Sequence, residues 1–220
     1  AVLAEIEKMV PEIKRNPLSE MQLAELKEQG LHHTLNCPDA EVAQAMHEKI
    51  LEVRDTGDSS GGLVEVVARG VPPGLGEPVF DKLDGQLGRM LSIGTIKAVE
   101  VGAGMQVKDM TGSVCNDQLR AEKERVSFSS NNNGGVTGGL TTGQDVIARL
   151  AVKPTPTIAK PQKTVDKVTR ENAELAAVTR RDPTIVSRVW PVAEAFVAIT
   201  LLDHLMMHIA YQQMAEPYAD

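Results

Sequence analysis

The chain has 220 residues, of which 42% are apolar and only 3% aromatic. That is enough for one sizeable domain or two small ones, with a core that must rest on Val, Ile, Leu, Ala and Met. A formal net charge of −7 argues against nucleic acid or an anionic membrane as a bulk partner, and an anionic ligand would need a local cluster of cations. Two cysteines, Cys37 and Cys115, lie far apart and outside metal-ligand spacing. They exclude a disulfide framework and fit a reducing compartment.

Residues 1–56 read as helical and polar. Asn16-Pro17 opens a short helix to Leu26, stopped by Gly30, with the proline where its missing N–H costs least. Asp39 caps a longer helix whose apolar residues Val42, Met46, Ile50 and Val53 recur every three to four positions. After Gly57-Asp58-Ser59-Ser60-Gly61-Gly62 the texture changes, and residues 63–69 read as a β-branched strand. Pro72-Pro73-Gly74 turns the chain, and a helix is expected to open near Glu77 and run to about Leu91.

Residues 95–101 read as the next strand, and the polar residues 104–133 as one long mobile loop of the kind that covers active sites. Residues 146–152 form a further strand that leads directly into Lys153. Pro191 opens a final helix through Phe196, Leu201, Leu202, Leu205 and Ile209, apolar around most of its circumference and so expected to be buried. Its longest uncharged apolar run, 195–202, is too short to span a bilayer, and no membrane partner is expected. Strands and helices alternate without a repeat or a clear linker. A single α+β domain over residues 1–220 is the simplest reading.

The most informative segment is Asn131-Asn132-Asn133-Gly134-Gly135-Val136-Thr137-Gly138-Gly139, followed by Lys153-Pro154-Thr155-Pro156-Thr157. Glycine pairs leave backbone N–H groups approachable, which suits phosphate or a heteroatom-rich ring. Lys153 adds a cation, Thr155 and Thr157 add hydroxyls, and Pro154 and Pro156 restrict the segment that carries them. No Gly-Lys-Ser/Thr closes the run and no dinucleotide fingerprint is present. Taken alone, such runs more often mark surface turns and strand ends. His204 and His208 stand one helical turn apart, but no third ligand is implied, and packed histidines are expected there in place of a metal.

Several blocks occur in a fixed order: Gly57-Asp58-Ser59-Ser60-Gly61-Gly62, Gly74-Leu75-Gly76-Glu77-Pro78-Val79-Phe80-Asp81-Lys82-Leu83, the Asn133 to Gly139 loop, Lys153-Pro154-Thr155-Pro156-Thr157 and Arg180-Arg181-Asp182-Pro183. This series resembles the C-terminal part of the chorismate synthase family. It covers most of residues 36–213, with residues 1–35 matching weakly.

The resemblance implies a fold of helices sandwiched between antiparallel sheets, here incomplete, and assembly as a homo-oligomer, a tetramer in the family. It implies a lyase that converts 5-enolpyruvylshikimate 3-phosphate, a small anionic substrate, to chorismate and phosphate by anti-1,4-elimination. The cofactor implied is reduced FMN, reduced by NADPH in some members and by outside reductants in others. The expected location is cytoplasmic, or the plastid for a plant chain.

By the same resemblance, Gly94 and Thr95 fall where the family binds flavin through a short backbone segment, where many members have Asn-Ala. Gly138 fits the flavin-contacting glycine. Lys153, Pro154, Thr155, Pro156 and Thr157 match the phosphate and ring-edge segment. Arg180 looks like the arginine at flavin and substrate, and Asp182 like the aspartate near the reactive ring nitrogen.

Arginine binds carboxylates and phosphates through paired donors, and a carboxylate beside a flavin can steer protonation, which makes Asp182 the acid–base candidate. Read without the family, Asp182 is a helix cap just before Pro183. The family's N-terminal Gly-Glu-Ser-His and Arg-x-Ser-Ala-Arg segments, its substrate-binding arginines and its two acid–base histidines have no counterpart in this sequence. Catalysis by these 220 residues alone is therefore doubtful. The competing readings are a non-catalytic flavin- or phosphate-binding remnant, and a structural fragment that pairs with a partner chain.

Overall fold

The computed structural model describes residues 35–122, 125–177 and 181–215. The helix expected at residues 16–26 lies outside them. The described chain divides into two compact units: residues 64–150 with 190–215, and residues 35–63 with 151–189.

In the second of these, helix α1 (Ala40–Asp55) starts where the sequence places it, with the Asp39 carboxylate accepting the Val42 N–H at 2.9 Å. At its end the Gly57 N–H bonds to the Arg54 carbonyl and the Asp58 N–H to the Val53 carbonyl, the paired closure of a Schellman stop. The buried positions are Ala43 and Val53, whereas Val42 and Met46 are exposed. The apolar face is thus turned by one residue from the expected one at its start. A hairpin, β8 (Gln162–Val165) with β9 (Asn172–Leu175), pairs Gln162 with Leu175 and Val165 with Asn172. Its turn is held by the Asp166 carboxylate, which accepts the N–H groups of Val168 and Thr169 at 2.7 and 2.8 Å. These contacts hold that carboxyl below the ordinary range.

A three-stranded sheet carries the order β1–β7–β2, with β1 at Gly62–Ala68, β2 at Ile96–Val101 and β7 at Val146–Val152. All three agree with the expected strands. In β7 alternate residues Val146, Ala148, Leu150 and Val152 are buried, the period-two pattern of a central strand. Helix α2 (Leu83–Gly88) and the 3₁₀ turn Arg89–Ser92 pack on β2. They bury Leu83, Leu87 and Met90 completely. Burial of such a side chain stabilises by about 1.5–3 kcal/mol relative to exposure.

Three expectations are corrected here. The helix does not open at Glu77: residues 77–82 form turns, and α2 begins only at Leu83, whose N–H is given to the Gly139 carbonyl at 3.0 Å. Residues 104–133 are not one loop. They hold a 3₁₀ helix (Gly104–Asp109), the short helix α3 (Gly112–Cys115) and a hairpin of β3 (Leu119–Glu122) with β4 (Arg125–Phe128), in the register Leu119 to Phe128. The final helix, α4 (Val186–Ala215), starts before Pro191 and carries that proline inside it.

Helix α4 is also not buried all round. Ala193, Val197, His204, Leu205 and Ile209 form one buried face, while Val192, Ile199, Leu202, Met206, Tyr211 and Met214 are exposed. By length and composition alone it is long and apolar enough to cross a membrane. Ala193 and Val197 stand one helical turn apart, as do Leu205 and Ile209, and two turns separate the pairs, the pattern of a helix buried along one stripe.

Candidate functional site

Gly94, Thr95 and Gly138 belong to the first unit, and residues 153–157 with Asp182 to the second. Arg180 lies outside the described residues.

Gly94 and Thr95 form the turn that feeds β2. Thr95 holds φ at +80°, a conformation that a β-branched residue adopts only under strain of about 1–3 kcal/mol. Its Oγ1 is buried and finds no hydrogen-bond partner among the described residues. A buried hydroxyl without a partner is costly, and here it coincides with a strained backbone. Gly94 is exposed, and a Cβ there would meet nothing within 4 Å.

Gly138 and Gly139 form the two-residue tip between β5 (Val136–Thr137) and β6 (Leu140–Thr141). Their φ values of +65° and +93° are those of a type I′ hairpin turn, which demands left-handed backbone at both positions. The segment after Pro72 clasps this hairpin. Gly74 donates its N–H to the Thr141 carbonyl at 2.8 Å, and Thr141 returns its own N–H to Leu75 at 2.8 Å. The buried Thr141 hydroxyl donates to the Pro72 carbonyl at 2.6 Å and accepts the Leu75 N–H at 2.8 Å. Gly76 approaches so closely that a Cβ on it would stand 2.1 Å from the Gly139 oxygen. Gly138 itself is exposed with open space where a Cβ would be.

The asparagine half of the loop behaves differently from the expected cradle of free N–H groups, because its donors are spent inside the protein. Asp117 accepts the N–H groups of Asn132 and Asn133 at 2.7 and 2.9 Å and the Ser130 hydroxyl at 2.6 Å. Asn131 Oδ1 takes the Gly135 N–H at 2.7 Å, and the Asn131 and Asn133 carbonyls take those of Gly134 and Val136. Burial pushes the Asp117 carboxyl up, but the bonds from Ser130, Asn133 and Asn132 outweigh it and leave it below the ordinary carboxylate range.

In the second unit the structure brings Thr155 and Asp182 together. Thr155 Oγ1 donates to the Asp182 carbonyl at 3.2 Å, and Ser59 Oγ donates to the Thr155 carbonyl at 2.6 Å. The Ser60 N–H closes the same cluster on the Pro183 carbonyl at 2.8 Å. Lys153, Pro154, Pro156 and Thr157 are exposed. The Asp182 carboxylate does not cap α4. It forms a two-pronged pair with the Arg188 guanidinium at 2.9 and 3.0 Å, and Thr184 Oγ1 instead accepts the Val186 N–H at the helix start. Nearby, Lys160 pairs with Asp58, and that hydrogen bond, with one from the Ser59 N–H, holds the Asp58 carboxyl below its usual range.

His204 is buried with its Nδ1 unpartnered among the described residues, while His208 Nε2 meets Gln212 at 2.9 Å. Among the described residues no three His, Cys, Asp or Glu side chains gather as a metal site.

Sequence reasoning missed the supports Asp117, Thr141, Ser59 and Arg188. Ser59 stood inside one of the ordered blocks without a role. The others act across 6 to 69 residues of chain, a distance at which local patterns carry no signal.

The strands, hairpins and flanking helices define an α+β protein with a clasped glycine hairpin and a Lys-Pro-Thr-Pro-Thr segment tied to an aspartate loop. Residues 2–206 match the model of the family described as "Chorismate synthase". The chorismate synthase of Methanosarcina acetivorans is 48% identical over 195 residues, which cover 88% of this chain and 53% of that relative. The chorismate synthase of Acetivibrio thermocellus is 48% identical over 184 residues, covering 82% and 47% respectively. A solved structure, "Crystal Structure of Chorismate Synthase", superposes with a TM-score of 0.63 at 32% identity, over 79% of this chain and 45% of that one. The chain belongs to the chorismate synthase family and shares its fold. It spans about half the length of the curated relatives it matches.

Proposed function

We propose that this chain carries the C-terminal, flavin-binding part of a chorismate synthase, a lyase of aromatic amino-acid biosynthesis that converts 5-enolpyruvylshikimate 3-phosphate to chorismate and phosphate. The observation that carries this reading is the 48% identity over 195 residues with a relative of that name.

The residues present fit the cofactor that the family implies. The orphaned Thr95 hydroxyl and the open face of Gly138 are features that a bound ring edge would complete. Within the first unit Gly94, Thr95 and Gly138 would contact it; the roles of residues 153–157 and of Arg180 toward it rest on the family resemblance alone. When bound, reduced FMN supplies the reduced ring that the elimination requires, although the reaction has no net redox change.

Lys153 contributes a fixed cation for phosphate, on a segment stiffened by Pro154 and Pro156 and tethered through Ser59. Donors aimed at the charge that develops on departing phosphate lower the barrier more than uniform binding does. Asp182 is the acid–base candidate, and Arg188 orients and neutralises its carboxylate. In this reading the protein works as a homotetramer in the cytoplasm, or in the plastid for a plant chain. NADPH or an outside reductant keeps the flavin reduced.

The half-length match to its relatives favours a second reading, a flavin- or phosphate-binding piece that needs further chain for turnover. One experiment separates the two. Phosphate release is followed anaerobically with reduced FMN and 5-enolpyruvylshikimate 3-phosphate, using this chain and a chain of full family length. Flavin-dependent release by both makes this chain an enzyme. Release by the longer chain alone, with saturable flavin binding by this one, makes it a binding part. Silence from both overturns the assignment.

A further inference from the structure

The carboxylate of Asp117 is clamped onto the base of the glycine loop by three donors 13 to 16 residues further along the chain, Ser130 Oγ, Asn132 N–H and Asn133 N–H. A negative charge seated on two successive backbone N–H groups selects one local backbone conformation, because an alternative course of the chain would point one donor away. The same loop base is fixed from its other side. The Ala103 N–H bonds to the Asn132 carbonyl at 2.7 Å, and the Ile147 N–H in β7 bonds to the Gly134 carbonyl at 3.2 Å. Asn131 Nδ2 reaches the Asp145 carbonyl at 2.9 Å, and Asn132 Nδ2 reaches the carbonyls of Val114 and Cys115 at 3.1 and 3.2 Å.

From that base the chain runs straight into the β5–β6 hairpin. Asn133 holds the Val136 N–H, and Gly135 holds that of Thr142 at 2.9 Å, so the two strands leave the loop in a fixed direction. The tip they carry is Gly138–Gly139. Thus every link from Asp117 to Gly138 is a hydrogen bond or a short run of backbone, and the one ionisable member is Asp117.

We propose that Asp117 is a positioning residue for Gly138: its carboxylate fixes the loop base, and through the β5–β6 hairpin it sets where the Gly138 backbone stands against a ligand. The ligand half of this statement rests on the flavin reading above; the positioning half does not. In this proposal Asp117 acts through the loop base and not on the ligand itself. It replaces, from an unexpected stretch of chain, the ordering that an anion would otherwise have to supply to these N–H groups.

The test uses the full 220-residue chain labelled with ¹⁵N, as the parent, Asp117→Asn and Ser130→Ala. Asn in place of Asp keeps the shape but loses the charge and turns part of the acceptor surface into a donor that faces the Asn132 and Asn133 N–H groups. Ser130→Ala removes one donor and leaves the carboxylate, so it guards against a variant that fails to fold. The expected result is that Asn132 and Asn133 amide signals move in both variants, more in Asp117→Asn, and that Gly138 and Gly139 move with them in the same rank order. Movement confined to residues 130–133 in folded protein overturns the positioning role.

Affinity for reduced FMN is then measured on the same samples. The expected result is a loss of about tenfold or more in Asp117→Asn, with a smaller loss in Ser130→Ala. Unchanged affinity beside a displaced Gly138 signal overturns the ligand half. A parent chain that binds no flavin counts against the proposed function and leaves the positioning role to be decided by the amide signals alone.

Discussion

Thr155 and Asp182 are joined by a hydrogen bond from the threonine hydroxyl to the aspartate main-chain carbonyl at 3.2 Å. The bond fixes the loop that carries Asp182 without using its carboxylate, which stays available to Arg188. Thr155→Val keeps the branched shape and deletes the donor. It is expected to cost about 0.5–1.5 kcal/mol, the net worth of one such bond. Urea unfolding at neutral pH reads this as a lowered midpoint with an unchanged slope. A midpoint equal to the parent's would show that the bond is idle.

Asp182 itself is tested in a chain of full family length. Asp182→Ala is expected to lower kcat about 10²-fold or more while KM changes only a few-fold, as befits a group that moves a proton. An alternative is that Asp182 serves only to pair with Arg188. That pair is solvent-exposed, with side chains 71% and 42% accessible, and such pairs contribute roughly 0–1 kcal/mol. Arg188→Leu would then reproduce Asp182→Ala in full. The acid–base role requires Arg188→Leu to remain the more active of the two.

The elements legible in the sequence are those decided by local chemistry. Asp39 caps α1 because its carboxylate meets an N–H three residues on, and β7 is readable because Val146, Ala148, Leu150 and Val152 alternate. The misread elements are decided by distant partners. Residues 77–82 look like a helix start, but the Leu83 N–H and the close face of Gly76 are taken by Gly139, far along the chain. The glycine run looks like a cradle of free donors, but Asp117 and Asn131 consume those at its base. Within the candidate site, the types of residues 153–157 and of Asp182 were readable, and so was their order. Their joining through Ser59 and Thr155 was not, since no local pattern pairs a hydroxyl with a carbonyl 27 or 96 residues away.

Acid should release the loop base through Asp117. Its folded-state pKa lies below the ordinary value of about 3.9 taken for the unfolded chain. The stabilisation from the ionised carboxylate is therefore complete above that value and is lost as pH falls through the folded pKa. Asp117→Asn lacks this contribution at every pH. The gap in urea midpoint between parent and variant is expected to be constant from pH 7 to about pH 5, and to close as pH drops below the carboxylate range. A gap that stays constant into strong acid would mean that the ionised form contributes nothing.

Two glycines should respond oppositely to the same substitution. Gly76 holds φ at +127°, and a Cβ there would lie 2.1 Å from the Gly139 oxygen, a backbone atom anchored by the Leu83 N–H. Gly76→Ala combines a strained backbone with a collision that no side-chain rotation relieves, and is expected to cost about 2–5 kcal/mol. Gly85 sits inside α2 with nothing within 4 Å of a would-be Cβ. Gly85→Ala is expected to stabilise by about 0.5–1 kcal/mol, because alanine loses less conformational freedom in a helix. Thermal unfolding of the two variants against the parent decides the matter. Equal stability of parent and Gly76→Ala would mean that the clasp on the Gly138–Gly139 tip is open in solution.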